Sequence, residues 1–159
     1  SLRVCRQYLC AMPTRLEDLL PSAAESERGE PRVARAVYQR LQFLSRVMRH
    51  APAATGCRVL LLWLDAKGEV ASAGVGGFGV VIGRDADCEI VLSSPRVSRR
   101  HCAVRMVGER DALVVIEDLG SSNGTAVNGR ALAASTTLSL HDGDVLEVGG
   151  VPMAVLMAP

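Results

Sequence analysis

Beyond Gly56 the chain breaks into seven short apolar runs, each of strand length and each closed by turn residues. The runs are 58–64, 78–82, 89–92, 102–107, 112–117, 145–148 and 153–157. Between them stand Asp65-Ala66-Lys67-Gly68, Gly108-Glu109-Arg110-Asp111, Asn128-Gly129, His141-Asp142-Gly143-Asp144 and Gly149-Gly150. Gly149-Gly150 between two apolar runs signals a tight hairpin. No helical pattern separates the runs, so these residues can leave water only by pairing strands and packing two sheets face to face. The expected fold is an all-β antiparallel sandwich with its connecting loops at its ends, where binding residues sit. Hydrophobic residues make up 48% of the chain, enough for a core, but only five are aromatic. That core must come from Val, Leu, Ile and Ala.

The first third follows a different period. Between residues 31 and 50, Val33, Val37, Leu41, Leu44 and Val47/Met48 recur at three- and four-residue steps, which is one face of an amphipathic helix opened by Pro31. Upstream, Thr14-Arg15-Leu16-Glu17 matches a capping box, predicting a short helix over 16–20 stopped by Pro21. Residues 22–30 read as a loop and 51–56 as a linker. The expected organisation is a helical N-terminal segment and linker over 1–56 and a β-sandwich over 57–159. A segment this small cannot hold a core of its own, so its apolar stripe must dock on the sandwich, on a second copy or on a partner. The two parts also differ in charge: nine Arg against five acids before Cys57, nine Arg and Lys against twelve acids from Cys57 onward.

Several function classes lose support here. Scarce aromatics argue against stacking on single-stranded nucleic acid. Cys5, Cys10, Cys57, Cys88 and Cys102 contain no C-x-x-C pair, and the histidines lie far apart at 50, 101 and 141. Reduced thiols and no metal or cofactor are therefore expected. The run Val59-Leu60-Leu61-Leu62-Trp63-Leu64 is too short to span a bilayer, and Arg3 and Arg6 break any signal-peptide core. A cytoplasmic protein with no membrane partner is the expectation.

The residues that carry chemistry fall on three interstrand loops: Gly83-Arg84, then Val97-Ser98-Arg99-Arg100-His101, then Asp118-Leu119-Gly120-Ser121-Ser122-Asn123-Gly124-Thr125. Each has an ordinary explanation alone: Arg84 as an ion pair with Asp85 or Asp87, Ser98 as a turn hydroxyl, Asn123-Gly124 as a hairpin turn. Together they supply a permanently charged guanidinium fork, hydroxyl donors and a two-way amide, which suits a phosphate and the peptide bearing it.

In this order and spacing, with Glu89-Ile90-Val91-Leu92, Val127-Asn128-Gly129 and the segment from Leu140 to Gly149, the motifs resemble the forkhead-associated (FHA) domain over roughly residues 58–158. The resemblance implies a sandwich of about eleven strands that binds phosphothreonine peptides at one end. It assigns Arg84 and Ser98 to the phosphate, Arg99 to an additional contact, and Ser122 and Asn123 to the peptide backbone. It gives Gly83, His101, Gly124, Asn128 and Gly129 to support of the binding loops. Two positions depart from the pattern. Glu89 stands where Asp or Asn is usual, and Ala126 where a bulkier residue is common, which implies a looser loop after Asn123.

No enzyme is expected. Ser98, His101 and Asp118 supply the residue types of a hydrolase triad, but Ser98 and His101 sit three apart at a strand start without a nucleophile elbow. Gly74, Gly76 and Gly79 spell G-x-G-x-x-G, yet a strand follows rather than a helix, so a hairpin loop is expected there. The expected partner is a phosphothreonine-containing protein, a Ser/Thr kinase or its substrate. The competing expectation is a phosphate-independent scaffold assembled through the helix at 31–50. A third is self-regulation through a phosphorylated Thr14 or Thr55.

Overall fold

The computed structural model describes residues 32–47, 57–108, 113–133 and 135–158. The expected helix at 16–20, the loop at 22–30, the linker at 51–56, Thr14 and Thr55 lie outside the described residues.

Among the described residues one helix, α1 (Arg32–Val47), precedes eleven strands. These are β1 (Val59–Leu64), β2 (Val70–Val75), β3 (Val80–Gly83), β4 (Ile90–Val91), β5 (Cys102–Val107), β6 (Leu113–Asp118), β7 (Thr125–Val127), β8 (Arg130–Ala131), β9 (Thr137–Leu140), β10 (Val145–Val148) and β11 (Val151–Met157). They form a six-stranded sheet, β2-β1-β11-β10-β7-β8, and a five-stranded sheet, β4-β3-β5-β6-β9. The expected sandwich is present, and its pairs are antiparallel except β3 with β4, which run parallel.

Strand periodicity places alternate residues on opposite faces. Val59, Leu61, Met153 and Val155 point inward from the first sheet to meet Ile82, Val104 and Ile116 of the second. The other face of the same strands is apolar too. Leu60, Leu62, Ala154 and Leu156 pack with Leu41 of α1, and Val37 joins them. This explains why β1 reads as an unbroken apolar run, since a strand covered on both faces has no polar side to show. The apolar stripe of α1 therefore docks on the outer face of the chain's own sheet, with Leu41 and Leu44 buried and Phe43 exposed. No helix among the described residues is long and apolar enough to cross a membrane.

Three local expectations change. Phe78 is not in a strand: it is fully exposed in the turn before β3. Gly79 takes a left-handed φ of 79°, and a Cβ there would stand 2.7 Å from the Val104 carbonyl oxygen, so the turn is pressed against β5. The stretch 74–79 is a loop only from Gly76 onward, because Gly74 lies in β2 opposite Leu60. Strands β2, β7, β8 and β9 fall outside the seven apolar runs. β2, β8 and β9 lie at sheet edges and carry small, polar or exposed residues, so their sequence has little apolar pattern to display.

Candidate functional site

The loops at one end of the sandwich are tied together by backbone bonds before any side chain is considered. Arg84 N–H donates to the Ser98 carbonyl at 3.0 Å and Asp85 N–H to the Arg99 carbonyl at 3.1 Å. The loop after β3 therefore lies directly along the loop before β5. Gly83 makes this approach possible. Its β-carbon would collide with the Arg99 carbonyl oxygen and would come within 2.8 Å of the Cys88 sulfur. The demand on this glycine is space, not dihedral angle.

His101 joins the second loop to the third. The ring is fully buried; its Nδ1 accepts the Ser98 N–H at 3.0 Å, and its Nε2 stands 2.9 Å from the Gly124 carbonyl. An N–H facing Nδ1 and a carbonyl facing Nε2 select the neutral tautomer with its proton on Nε2. The same Gly124 carbonyl also receives Gly149 N–H at 3.3 Å, which draws in the β10–β11 turn. With both nitrogens engaged by backbone, His101 has none left to serve the Ser98 hydroxyl as a base.

That hydroxyl has its own orientation. Ser98 Oγ accepts the Ser122 N–H at 3.0 Å, so its hydrogen remains available to donate outward. Asn123 donates from Nδ2 to the Arg96 carbonyl at 2.7 Å. Among the described residues its Oδ1 has no partner, leaving an acceptor and one N–H for a ligand. The guanidinium of Arg84 is exposed and forms no ion pair with Asp85 or Asp87, since among the described residues the ion pairs are Arg105–Glu117 and His141–Asp144. Arg99 is likewise exposed, with its carbonyl held by Asp85 N–H and by the Cys88 thiol, Sγ to oxygen 3.2 Å.

Sequence reasoning missed the organiser of the third loop. Asp118 is buried and collects four donors: Gly120 N–H at 2.9 Å and Ser121 N–H at 2.8 Å on Oδ1, Ser121 Oγ at 2.7 Å and Thr125 Oγ1 at 2.6 Å on Oδ2. Burial alone would raise its carboxyl. The Thr125 hydroxyl and the Ser121 and Gly120 donors outweigh it and hold the group below its ordinary value. An aspartate two and three residues ahead of Gly120 and Ser121 is an Asx-turn signal that could have singled it out. Asp118 therefore bonds loop hydroxyls and amides, and the hydrolase arrangement with His101 is not formed.

Asn128 and Gly129 are not brought to these loops. They form the β7–β8 turn with φ of 50° and 76°, and Asn128 pins the opposite end of β10. Its Nδ2 donates to Asp144 at 2.8 Å and its Oδ1 accepts Val145 N–H at 2.9 Å. The physical reason is strand direction. β7 leads away from Gly124, so the turn that ends it lies at the far edge of the sandwich. Glu89, the departure noted above, accepts Val81 N–H at 2.7 Å, and that bond lowers its carboxyl from the ordinary value.

The thiols near the site are inert. Burial raises Cys88 and pushes Cys102 up to about 12, so both remain thiols at neutral pH. Cys57, Cys88 and Cys102 form no disulfide, and no group of His, Cys, Asp and Glu among the described residues could hold a metal ion. Cys5 and Cys10 lie outside the described residues.

Comparison with known proteins bears on the fold. The FHA domain model matches residues 80–149. FhaA of Mycobacterium tuberculosis, an FHA domain-containing protein, is 38% identical over 77 residues, which are 48% of this chain and 14% of FhaA. A Schizosaccharomyces pombe serine/threonine-protein kinase is 38% identical over 76 residues, 44% of this chain and 16% of the kinase. A solved structure from an analysis of phosphothreonine-dependent FHA domain interactions superposes with a TM-score of 0.52 at 34% identity, covering 64% of this chain and 97% of that one. The matched part is between 5% and 16% of the length of the curated relatives.

Proposed function

The chain belongs to the FHA domain family, and from that premise we propose that it is a phosphothreonine-dependent protein-binding module. One observation carries the reading. The Ser98 hydroxyl, already accepting Ser122 N–H, has its hydrogen left for an anion, on a loop whose backbone is bonded to that of Arg84 with its unpaired guanidinium. A phosphothreonine brings nearly two negative charges and three acceptor oxygens. Arg84 and Ser98 take the phosphate, Arg99 adds a contact, and the Asn123 carboxamide with Ser122 holds the peptide main chain. Gly83, His101 and Gly124 keep these groups in register.

Charge-assisted hydrogen bonds net about 1.5–3 kcal/mol each. Two or three, less the cost of ordering a peptide, give a complex of about micromolar strength. Without the phosphate, binding falls away. We take the partner to be a phosphothreonine-containing protein, a Ser/Thr kinase or a kinase substrate, in keeping with the kinase among the relatives. The scaffold alternative needs an apolar helix face free for assembly, whereas Val37 and Leu41 pack on the chain's own strands and Leu44 is buried.

Calorimetry on a phosphothreonine peptide library tests the proposal. Enrichment of phosphorylated over unphosphorylated peptides is expected; a library with no enrichment would refute it.

A further inference from the structure

The two outer faces of the sandwich differ. α1 covers that of the first sheet, with Leu41 against Leu60, Leu62 and Leu156. Among the described residues no helix covers that of the second sheet. An antiparallel sheet with one face in water ordinarily alternates apolar and polar residues. On β5 and β6 the inward positions include Cys102, Val104, Val114 and Ile116, all buried. The outward positions break the rule: Ala103, Val107, Leu113 and Val115 are apolar, and only Arg105 and Glu117 are not.

The register arranges them in rows, with Ala103 opposite Glu117, Arg105 opposite Val115 and Val107 opposite Leu113. β3 extends the first row with Val81, opposite Ala103, and β4 adds Val91 beside Gly83. Val91, Val107 and Leu113 are exposed. The turn before β3 borders the same face, since a Cβ on Gly79 would stand 2.9 Å from Cβ of Arg105. That turn is closed by Gly79 N–H on the Gly76 carbonyl at 2.9 Å, and it holds Phe78 fully exposed. Exposed apolar residues scattered singly are ordinary, whereas a contiguous group marks an interaction surface.

The charges identify the occupant. Arg105 Nη2 meets Glu117 Oε2 at 2.6 Å in the open. Apart from buried Asp118, these two are the only charged residues in the five strands of this sheet. A face with no net charge does not draw an acidic or basic partner or an anionic lipid surface. One base beside one acid, ringed by apolar side chains, is self-complementary. About a two-fold axis, Arg105 of each copy meets Glu117 of the other. Five strands about 4.8 Å apart and about six residues long give roughly 500 Å² per copy. That falls short of the about 800 Å² per partner of a standard interface, so the contact is weak and reversible.

We propose that the outer face of the second sheet joins two copies of this chain about a two-fold axis. The loops carrying Arg84, Ser98 and Asn123 lie at the end of the sandwich and not on this face. Both copies therefore keep those loops open, and the pair is bivalent toward a partner bearing two ligand motifs. The inference does not depend on what the loops bind.

Sedimentation equilibrium over a range of concentrations tests it, on the wild-type chain, Leu113→Asp, Arg105→Glu, the double variant Arg105→Glu/Glu117→Arg, and Phe43→Ala. Leu113 and Arg105 are exposed, so these changes leave the core intact, and urea unfolding verifies that each variant is folded. The wild type is expected to dimerise with a dissociation constant of about 10–100 µM. Leu113→Asp, which buries a charge in the contact, raises that constant at least about tenfold. Arg105→Glu sets like charges across the axis and does the same, while the double variant returns to within about threefold of wild type. Phe43→Ala, on the exposed side of α1, leaves the dimer unchanged. A wild-type chain that is monomeric throughout overturns the inference, as does a dimer indifferent to both Leu113→Asp and Arg105→Glu. A double variant that stays monomeric overturns the two-fold pairing, and a dimer lost in Phe43→Ala alone assigns the contact to α1 instead.

Discussion

The imidazole of His101 donates through Nε2 to the carbonyl of Gly124 at 2.9 Å while its Nδ1 receives the amide of Ser98. One buried ring thereby fixes the spacing between the loop that carries the Ser98 hydroxyl and the loop that carries Asn123. Removing it leaves a cavity and an unsatisfied Ser98 N–H. His101→Ala is expected to lower stability by about 2–4 kcal/mol in urea unfolding. A loss below about 0.5 kcal/mol, the range of an inert surface change, would refute the bracing role.

Arg84 should behave in the opposite way. Its side chain makes no internal bond among the described residues, so Arg84→Ala is expected to change stability by less than about 0.5 kcal/mol. Affinity for a phosphothreonine peptide should drop more than about tenfold, the loss of at least one charge-assisted bond. Titration calorimetry beside thermal unfolding separates the two effects. A variant that still binds the phosphopeptide normally would remove Arg84 from the site. The family resemblance also implies a preference for phosphothreonine over phosphoserine, which equal affinities would refute.

Gly83→Ala tests the close approach of the first two loops. The added methyl meets the Arg99 carbonyl oxygen, a backbone atom that cannot swing aside. Separation of the loops is expected to weaken phosphopeptide binding and to cost about 1–3 kcal/mol of stability, as overpacking does. Unchanged values for both would show that the loops have slack.

Asp118 makes the fold sensitive to acid, and the sign follows from its donors. Four donors stabilise the charged form in the native state, so its native pKa lies below its unfolded value. The resulting stability is complete above the ordinary carboxylate range near pH 4 and is lost as pH falls through the depressed native value. Asp118→Asn should reduce stability at neutral pH and flatten the acid limb of a plot of urea midpoint against pH. An acid limb of unchanged slope would exclude Asp118 as its source.

Leu41 tests the docking of α1. It is fully buried between Leu60, Leu62 and Leu156, and Leu41→Ala should cost about 2–5 kcal/mol. Phe43→Ala, on the exposed side of the same helix, should cost less than about 1 kcal/mol. Equal effects at the two positions would mean that the helix is not seated on this sheet.

The sequence by itself determined the sandwich, most of its central strands and the loops that carry Arg84, Ser98 and Asn123. It could do so because strand burial writes a period into the chain and tight turns demand Gly, Asn and Asp. Edge strands such as β8 and β9 left little trace, since they bury few side chains. Only the tertiary structure decided where the α1 stripe goes, that Asn128 serves the far end of β10, and that Asp118 gathers the donors of the loop that carries Asn123. Each of these depends on which groups meet across the chain, as when Asn123 takes the carbonyl of a residue 27 positions earlier. A side-chain-to-backbone bond uses a carbonyl that every residue possesses, so its partner cannot be read from residue type.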